Sequence, residues 1–548
     1  MQCTINCTNV KRLNINLGEE YCGFFDKSFS EQVAYNEREK EALFKEWKHT
    51  KAAKHLCPDG VERFEDIPLT TYDDYPILRE FGKEVEDLSE RDPRGKEESL
   101  WDYYDRISRQ VSPMLDGWLA DEYGFCCKTS GTGGESKWFA HGHHFLKNIS
   151  SNIIAFMVVS CSDAWAGTNL KRGDRVFGAA GPSPYIGGFV YKSALDHGFM
   201  LVPPLEIIDN ITDMRKKTMI ALKLIEKGEK VDFAGGIASA FHMACRYLTD
   251  RASLYKDYYQ SMKFGIPKIV LFIMWQHQSL FGKRYKRAME IMPVKGLGTG
   301  GFDTEIYAEF LNEQFGIEPL NIYGSTEAGF NMIGSPDRKR DLMPLLNGCY
   351  FEFLADNGEV RKINGLERDG IYEFVCTPFR SAIVRYKMGD LFRVIDFRDD
   401  GMPIFNFESR RADLLEIRNY FRLSEALAVK ALVEAGLPPT DKWAFAKEIE
   451  PEEHLCLLME REWEYTEREA SQRVFQALQK VDPAFHNYVR DFGIRDPWKV
   501  IKVEYLRKGA FMRYIMLRAK QGAEMGQIKP LKLITPKNKE VAALLRRI

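Results

Sequence analysis

The sequence predicts a two-domain α/β protein with a large N-terminal domain and a small α+β C-terminal domain. The larger domain is expected to combine layered α/β sheets with a β-barrel-like antiparallel part. Two changes of pattern indicate this: short apolar strands alternate with amphipathic helices from about residue 121, and alternating aromatic residues follow after about residue 350. With 548 residues, 45% of them hydrophobic, the chain can bury a large core and is longer than one ordinary domain.

The first 120 residues are predicted to be mostly helical. Aromatic and charged residues recur there at helical spacing, for example over 37–47 and 100–107. The turn residues of 57–60 interrupt this pattern.

From residue 121 onward the pattern predicts a layered sheet. Short apolar strands are expected over 125–127, 175–179 and 231–234, with amphipathic helices between them. Alternation of strands and helices favours an α/β arrangement.

The aromatic alternation beyond residue 350 predicts antiparallel strands over 350–353, 370–375 and 391–397. The pattern changes again past residue 410. Helices are predicted over 423–435 and 464–480, and strands over 455–459 and 498–505. We therefore expect a boundary near 408–413, with an N-terminal domain of residues 1–410 and a small C-terminal domain of residues 411–548.

Charge and composition exclude several classes of function. Lys and Arg number 77 against 79 Asp and Glu, a net charge of −2 that predicts neither a nucleic-acid partner nor a membrane partner. The longest apolar runs, 153–160 and 269–275, are far shorter than the ~20 residues that span a bilayer. We expect both runs to be buried core segments.

The N-terminal residues and the cysteines predict a cytoplasmic protein. The chain begins without the basic start and apolar stretch of a secretory signal. Its 11 cysteines include no CxxC pair, so reduced thiols are expected.

A glycine-rich loop follows the predicted strand 125–127 and reads Lys128-Thr129-Ser130-Gly131-Thr132-Gly133-Gly134-Glu135-Ser136-Lys137. Glycines let successive backbone N–H groups point into one concavity, and hydroxyls and a lysine add donors and positive charge. These features suit a polyphosphate. The alternative is a glycine-rich β-hairpin turn.

A second motif, Asn321-Ile322-Tyr323-Gly324-Ser325-Thr326-Glu327-Ala328-Gly329, follows a strand-like segment. It brings together an aromatic ring, a tight turn, two hydroxyls and a carboxylate. These groups can stack a base, contact a phosphate and hold Mg²⁺ through oxygen. The alternative is a strand-ending turn with an incidental Glu.

Three further motifs follow in order. Asp390 comes just after a glycine turn in Arg385-Tyr386-Lys387-Met388-Gly389-Asp390, where a carboxylate can accept both hydroxyls of a ribose. Ser409-Arg410-Arg411-Ala412-Asp413 lies at the expected domain boundary. Gly526-Gln527-Ile528-Lys529-Pro530 places a lysine in a loop near the C-terminus.

In this order and spacing, the five motifs resemble those of the acyl-adenylate-forming superfamily. The similarity is greatest to the plant auxin-conjugating acyl-acid amido synthetases and their bacterial relatives, and it extends over roughly 125–535. The segment 411–418 also resembles phenylacetate-CoA ligases. The resemblance implies an adenylate-forming N-terminal domain and a mobile C-terminal lid.

The resemblance also implies roles for individual residues. The nucleotide-binding candidates are Ser130, Gly131, Thr132, Gly133, Tyr323, Gly324, Ser325, Thr326, Asp390 and Arg411. Lys137 would hold the β- and γ-phosphates, Tyr323 would lie against adenine, and Asp390 with Arg411 would hold the ribose. The catalytic candidates are Lys529, Thr326 and Lys137. Glu327 would bind Mg²⁺, and Asp413 would be the hinge.

The implied activity is ATP-dependent conversion of a carboxylic acid to acyl-AMP, followed by acyl transfer to an amine such as an amino acid. An acyl-CoA ligase that uses coenzyme A is the first alternative, and an inactive adenylate-binding scaffold is the second. ATP and Mg²⁺ are the expected cofactors. The His-rich run 141–144 favours a strand-to-helix turn over a metal site. Tyr185 and Phe302 are candidates for the acyl pocket; the acid, the general base and the oligomeric state are not predicted.

Overall fold

The computed structural model describes residues 16–129, 136–165, 167–179, 181–211, 214–261, 265–282, 285–300, 304–417, 421–450, 452–520 and 531–547. In its N-terminal part five α-helices precede the first strand. They are α1 (Leu17–Cys22), α2 (Phe29–Trp47), α3 (Lys51–Leu56), α4 (Pro76–Arg91) and α5 (Leu100–Val111). Capping side chains start four of them: Asn16, Ser28, Thr50 and Ser99 each accept a backbone N–H of the first turn. The predicted helical character of this region is confirmed.

A β-hairpin leads from the helical region into a seven-stranded sheet. The hairpin strands are β1 (Tyr123–Lys128) and β2 (Trp138–Gly142). The sheet strands are β3 (Arg175–Ala179), β4 (Met200–Val202), β5 (Phe233–Ile237), β6 (Gly296–Gly300), β7 (Leu320–Ser325), β8 (Gly329–Ile333) and β9 (Met343–Pro344), in the order β4-β3-β5-β6-β7-β8-β9. The first five in that order are parallel, and β8 and β9 are antiparallel.

The crossover helices lie between these strands in the chain. They are α6 (His143–Ser160), α7 (Ile186–Asp196), α8 (Leu205–Asn210), α9 (Met214–Glu226), α10 (Ala238–Thr249), α11 (Arg251–Ser261), α12 (Ile266–Phe281) and α13 (Thr304–Phe315). Parallel strands joined by helices make the predicted α/β layers. The predicted strand 175–179 coincides with β3, and 125–127 lies within β1.

A five-stranded antiparallel sheet follows, as the aromatic alternation predicted. Its strands are β10 (Cys349–Leu354), β11 (Val360–Lys362), β12 (Ile371–Pro378), β13 (Tyr386–Phe397) and β14 (Pro403–Arg410), in the order β11-β10-β12-β13-β14. Its aromatic residues pack into a core with the helical N-terminal region. This sheet lies directly against the end of β7, where Tyr323 contacts Phe392.

The C-terminal part has its own sheet and its own core clusters. Its elements are β15 (Leu415–Ile417), β16 (Phe421–Leu423), α14 (Glu425–Glu434), β17 (Trp443–Glu448), β18 (His454–Glu460), α15 (Glu467–Val481), α16 (Pro483–Asp491), β19 (Ile501–Leu506), α17 (Ala510–Lys520), β20 (Leu533–Ile534) and α18 (Lys539–Arg547). The four-stranded sheet has the order β19-β18-β17-β20. The exact domain boundary at 410/411 stays a prediction.

The two long apolar runs have opposite environments. Residues 153–160 lie on α6 and are all buried, as predicted. The prediction for 269–275 is wrong, because no residue of α12 is buried and Ile273 is 60% exposed. The helix packs on α11 on one side, and large hydrophobic residues on its other side are exposed. Among the described residues, none of the helices combines the length and the apolar character needed to cross a membrane.

Candidate active site

The turn between β7 and β8 presents the second motif at the carboxyl end of a parallel strand. Ser325 pairs with Gly329 across the hairpin, and the Ser325 hydroxyl oxygen accepts the N–H of Ala328 at 3.1 Å. Gly329 has φ of +73°, and a Cβ there would lie 2.8 Å from Ile149 Cδ1. A larger residue would displace the turn. The tip of the hairpin therefore holds Thr326 and Glu327 in a defined position.

A buried histidine supports this turn. His141 Nε2 lies 3.1 Å from the carbonyl oxygen of Thr326, and Nδ1 lies 2.9 Å from the Ser381 hydroxyl. Since a carbonyl only accepts, Nε2 carries the proton and Ser381 donates to Nδ1. Burial lowers the pKa of His141 to about 3, so the imidazole is neutral. The Cys127 thiol also lies 3.3 Å from the Thr326 oxygen.

Tyr323 connects the turn to the antiparallel sheet. Its hydroxyl donates to Asp390 Oδ2 at 2.6 Å, and its ring lies edge-on to Phe392 with centroids 4.8 Å apart. Burial, followed by the Asp390 carboxylate, raises the pKa of Tyr323 well above its usual value. The hydroxyl therefore stays protonated and orients Asp390. Stacking of this ring on adenine stays a prediction.

Asp390 faces an arginine that sequence reasoning did not assign to it. Arg410 is its direct cross-strand neighbour on β14, with Nε 3.5 Å from Asp390 Oδ1. The guanidinium of Arg411, which we predicted beside Asp390, instead pairs with Glu373 at 2.7 Å and with Asp356 at 3.2 Å. The predicted ribose role of Arg411 stays untested, and Arg410 becomes the closer candidate. Arg410 is the last residue of β14 and pairs with Asp390, whereas Arg411 begins the 3-10 turn that follows, so only one of the two adjacent arginines faces Asp390.

Charges from three segments meet around Glu327. Burial raises the pKa of this carboxyl, the nearby Asp390 carboxylate raises it further, and Arg410 and Lys137 act in the opposite direction. Burial also raises the pKa of Asp413, while Arg410 lowers it. The predicted metal and hinge residues thus lie in one electrostatic neighbourhood with Asp390.

The glycine-rich loop connects β1 and β2, which pair as an antiparallel hairpin. The choice between a phosphate-binding loop and a plain hairpin turn stays a prediction. Ser130, Gly131, Thr132 and Gly133 lie outside the described residues. Thr129 and Lys137, which form the neck of the loop where it leaves the two strands, are described. The N–H of Thr129 donates to the Lys137 carbonyl, and the N–H of Lys137 donates to the Thr129 hydroxyl, both at 2.8 Å. The Lys137 side chain is exposed and its charge acts on Glu327. The neck therefore opens beside the β7–β8 turn.

The remaining predicted residues are divided between described and undescribed parts of the chain. Lys529 and Phe302 lie outside the described residues, and Asp413 ends a short 3-10 turn after β14. Tyr185 lines a narrow cleft with aromatic neighbours, among them Trp101 and Phe125. A role for Tyr185 in the acyl pocket stays a prediction.

The His-rich run has no metal-site geometry. His141 is buried on β2, His143 begins α6, and His144 lies 3.1 Å from Asp121. Within the described ranges, no group of three or more His, Cys, Asp or Glu is placed to hold a metal ion. Glu327 fits Mg²⁺ in another way, because that ion is commonly bound through one or two carboxylates together with substrate phosphates.

Comparison with known proteins shows the fold. No family model and no curated protein matches the chain. An acyl acid amido synthetase in complex with 2,4-DB matches with a TM-score of 0.62 and 16% identity, covering 98% of this chain and 95% of that chain. A second acyl acid amido synthetase structure has a TM-score of 0.61 and 16% identity, covering 100% and 97%. A 2-hydroxyisobutyryl-CoA ligase in the postadenylation state in complex with 2-HIB-AMP has a TM-score of 0.51 and 14% identity, covering 87% and 86%.

These matches extend over nearly the whole chain, including the N-terminal hundred residues that no motif covered. The predicted fold class, a large α/β domain with layered sheets and an antiparallel part followed by an α+β part, is confirmed. The chain has the fold of adenylate-forming enzymes.

Proposed function

We propose that the chain is an AMP-forming ligase that activates a carboxylic acid as its acyl-adenylate and transfers the acyl group to an amine, forming an amide. One observation carries this proposal: the Tyr323–Glu327 turn, Asp390 and the neck of the glycine-rich loop meet at one site. A single nucleotide that contacts all three explains it.

ATP would lie along these segments. Lys137, with Ser130, Gly131, Thr132 and Gly133, would hold the β- and γ-phosphates. Gly324, Ser325 and Thr326 would contact the α-phosphate from the hairpin tip, and Tyr323 would border the adenine. Asp390 would accept the ribose hydroxyls, with Arg410 or Arg411 beside it.

In the first half-reaction a carboxylate oxygen attacks the α-phosphorus, a P–O bond forms, and pyrophosphate leaves. Because two anions approach each other, the site must supply fixed positive charge and donors. Thr326 at the hairpin tip and Lys529 from the C-terminal part would supply them. Glu327 would hold Mg²⁺, which neutralises phosphate charge when bound.

In the second half-reaction the neutral amine attacks the acyl carbon, and AMP leaves with the bonding electrons. The acceptor must reach the side that pyrophosphate has left. We propose that the C-terminal part rotates about Asp413 to admit it. The thioester alternative, with coenzyme A as acceptor, is retained because a CoA ligase shares the fold; the higher TM-scores of the two amido synthetases favour the amide.

We also propose that the enzyme acts in the cytoplasm, where ATP and Mg²⁺ are abundant. Nine described cysteines are free, which fits a reducing compartment.

Isotope exchange between pyrophosphate and ATP, measured over a panel of acids, tests the proposal. Exchange should depend on the acid, and addition of amino acids or coenzyme A should then identify the acceptor by mass spectrometry of the product. ATP binding without exchange for any acid would favour the inactive scaffold.

Two substitutions test the separate roles proposed for Asp390 in ATP binding and for Lys529 in adenylate formation. Asp390→Ala should weaken ATP binding, whereas Lys529→Ala should abolish acid-dependent exchange and leave ATP binding nearly unchanged. The matched controls are Asp399→Ala and Lys537→Ala, which change exposed residues. Equal loss of ATP affinity in the Asp390 and Lys529 variants would contradict the assigned roles.

A further inference from the structure

Helix α12 presents an apolar face to solvent. Several of its large hydrophobic residues are exposed: Ile266 is 78% exposed, Ile273 60%, Leu280 73% and Phe281 74%. No residue of this 16-residue helix is buried. A surface helix of a globular protein normally presents its polar residues to solvent, whereas this helix presents apolar ones.

The exposed residues follow the period of one helical face. Ile266, Ile269, Ile273 and Leu280 recur at three-, four- and seven-residue steps. The opposite side packs on α11, where the ring of Tyr259 lies 5.8 Å from that of Trp275. The outward stripe is therefore an apolar surface, interrupted by the exposed Gln276 and His277, on a helix that packs against α11.

The sequence that contains this helix is rich in positive charge. Between Asp257 and Glu290 it has six Lys and Arg residues and no Asp or Glu. Among the described ones, Lys268 lies in the first turn of α12 with its Nζ over the Tyr259 ring of α11, and the exposed Lys286 and Arg287 follow the C-terminal end of the helix. The net charge of −2 for the whole chain conceals this local excess.

We propose that α12 is a membrane-surface anchor that docks on bilayers containing anionic lipids. The outward stripe would enter the boundary between headgroups and acyl chains, and the cations at the helix ends would lie at the headgroup phosphates. With 16 residues the helix is about 24 Å long, too short to span the ~30 Å hydrocarbon core, so it lies in the plane of the surface.

A second copy of the chain would fit this face less well than an anionic bilayer does. Packing two α12 helices together would place two cationic segments of like sign side by side, which is unfavourable. An anionic bilayer complements both the apolar stripe and the charge. The sequence-based expectation of no membrane partner rested on whole-chain charge and on the prediction that 269–275 is a buried core segment, which is wrong. The proposal does not depend on the proposed enzymatic function.

Vesicle flotation with the full chain tests the anchor. The protein should bind phosphatidylcholine vesicles that contain phosphatidylserine, and bind pure phosphatidylcholine vesicles much more weakly. Ile273→Glu should reduce partitioning at least ten-fold, because it places a charge in the apolar stripe. Lys286→Ala and Arg287→Ala should each reduce it roughly five-fold on anionic vesicles only.

The matched control is Ile449→Glu, the same substitution at a residue that is 56% exposed in the C-terminal part. It should float like the unchanged protein, and thermal unfolding of both variants should confirm that they fold. Equal flotation of the Ile273 variant, or no binding to anionic vesicles, would overturn the proposal. A vesicle-free dimer that Ile273→Glu converts to monomer would show that a second copy occupies the face, and would overturn it too.

Discussion

His141 couples the position of the Thr326 turn to pH. Its imidazole is fully buried, and both ring nitrogens are in hydrogen bonds with protein groups. Burial lowers its pKa from 6.5 to about 3. In the unfolded chain the ring takes up a proton as the pH falls through 6.5, but in the folded protein it does not. The contribution of His141 to stability is therefore present above pH 6.5 and is lost progressively between 6.5 and about 3.

We expect this residue to make the protein acid-sensitive. From about pH 7.5 to about pH 5, His141 should reduce the free energy of unfolding by about 2 kcal/mol. His141→Gln should remove this part of the pH dependence, because glutamine does not titrate and still offers an N–H to the Thr326 carbonyl. Chemical denaturation at several pH values measures the slope. His486→Gln, at an exposed position on α16, is the control and should leave the slope unchanged.

The Tyr323 hydroxyl should act on ATP affinity through Asp390. Tyr323→Phe keeps the ring but removes the donor at 2.6 Å, so the carboxylate loses a partner that fixes its orientation. We expect ATP to bind about five- to ten-fold more weakly, equivalent to about 1 kcal/mol, as measured by calorimetry. Tyr505→Phe removes a comparable hydroxyl bond, to the Tyr465 carbonyl at 2.9 Å, far from the site. If both variants bind ATP equally well, Tyr323 does not orient Asp390.

Motif spacing identified most side chains of the site but not their partners. Asp390, Tyr323 and Glu327 were predicted because each belongs to a short motif with a chemical reason for its residue types. His141 was missed, since one buried histidine on a strand has no sequence pattern that distinguishes it. The choice between Arg410 and Arg411 depends on the register of β14 against β13, which only the pairing of Asp390 with Arg410 reveals.

At the scale of elements, a buried ion pair joins the antiparallel sheet to the N-terminal helical region. Arg385 binds both carboxylate oxygens of Glu352, at 2.9 and 3.0 Å. The same guanidinium donates to the carbonyls of Glu65 and Ile67, each at 2.5 Å. Arg385 also precedes β13, the strand that carries Asp390. The pair therefore fixes the start of a strand on which the candidate site depends.

Removing the Glu352 carboxylate should lower the free energy of unfolding substantially. Glu352→Ala would leave the buried guanidinium without its counterion, and we expect a loss of about 3–5 kcal/mol in the free energy of unfolding. The control is Glu359→Ala, which breaks a pair with Arg361 in the same part of the sheet, where Glu359 is 53% exposed. That exposed pair should contribute much less to the free energy of unfolding than the buried one. Similar denaturation midpoints for the two variants would show that the Glu352 pair does not stabilise the sheet.

Two apolar segments explain where prediction of elements succeeded and failed. Both 153–160 and 269–275 read as buried, and both are helical, but only the first is covered by the sheet. Composition alone does not distinguish a helix that packs on a core from one that presents the same residues at the protein surface. Strands with alternating aromatic residues were predicted more reliably, because a period of two is typical of a strand and not of a helix.

At the scale of the whole molecule, an ion pair holds the C-terminal part against the N-terminal part. Lys508 Nζ lies 2.5 Å from Asp257 Oδ1 on α11 and 2.8 Å from Gln260 Oε1. Although burial acts to raise the pKa of Asp257, Lys508 and Arg246 lower it overall. Rotation of the C-terminal part about Asp413, as proposed for the second half-reaction, would have to break this contact.

Lys508→Ala should therefore favour the rotated arrangement. A partly exposed ion pair contributes at most about 1 kcal/mol, so the population of the rotated arrangement should rise by up to about five-fold. Limited proteolysis between β14 and α14 should become faster, and small-angle scattering should report a changed radius of gyration.

The control is Lys480→Ala, which breaks a pair with Glu434 inside the C-terminal part and leaves the contact between the two parts intact. Because the two substitutions remove the same charge, any difference between them reports the contact and not the charge itself. If cleavage rates and scattering are the same for both variants and the unchanged protein, the two parts do not exchange between arrangements through this contact. Transfer to the acceptor would then require a route to the adenylate that leaves the C-terminal part in place.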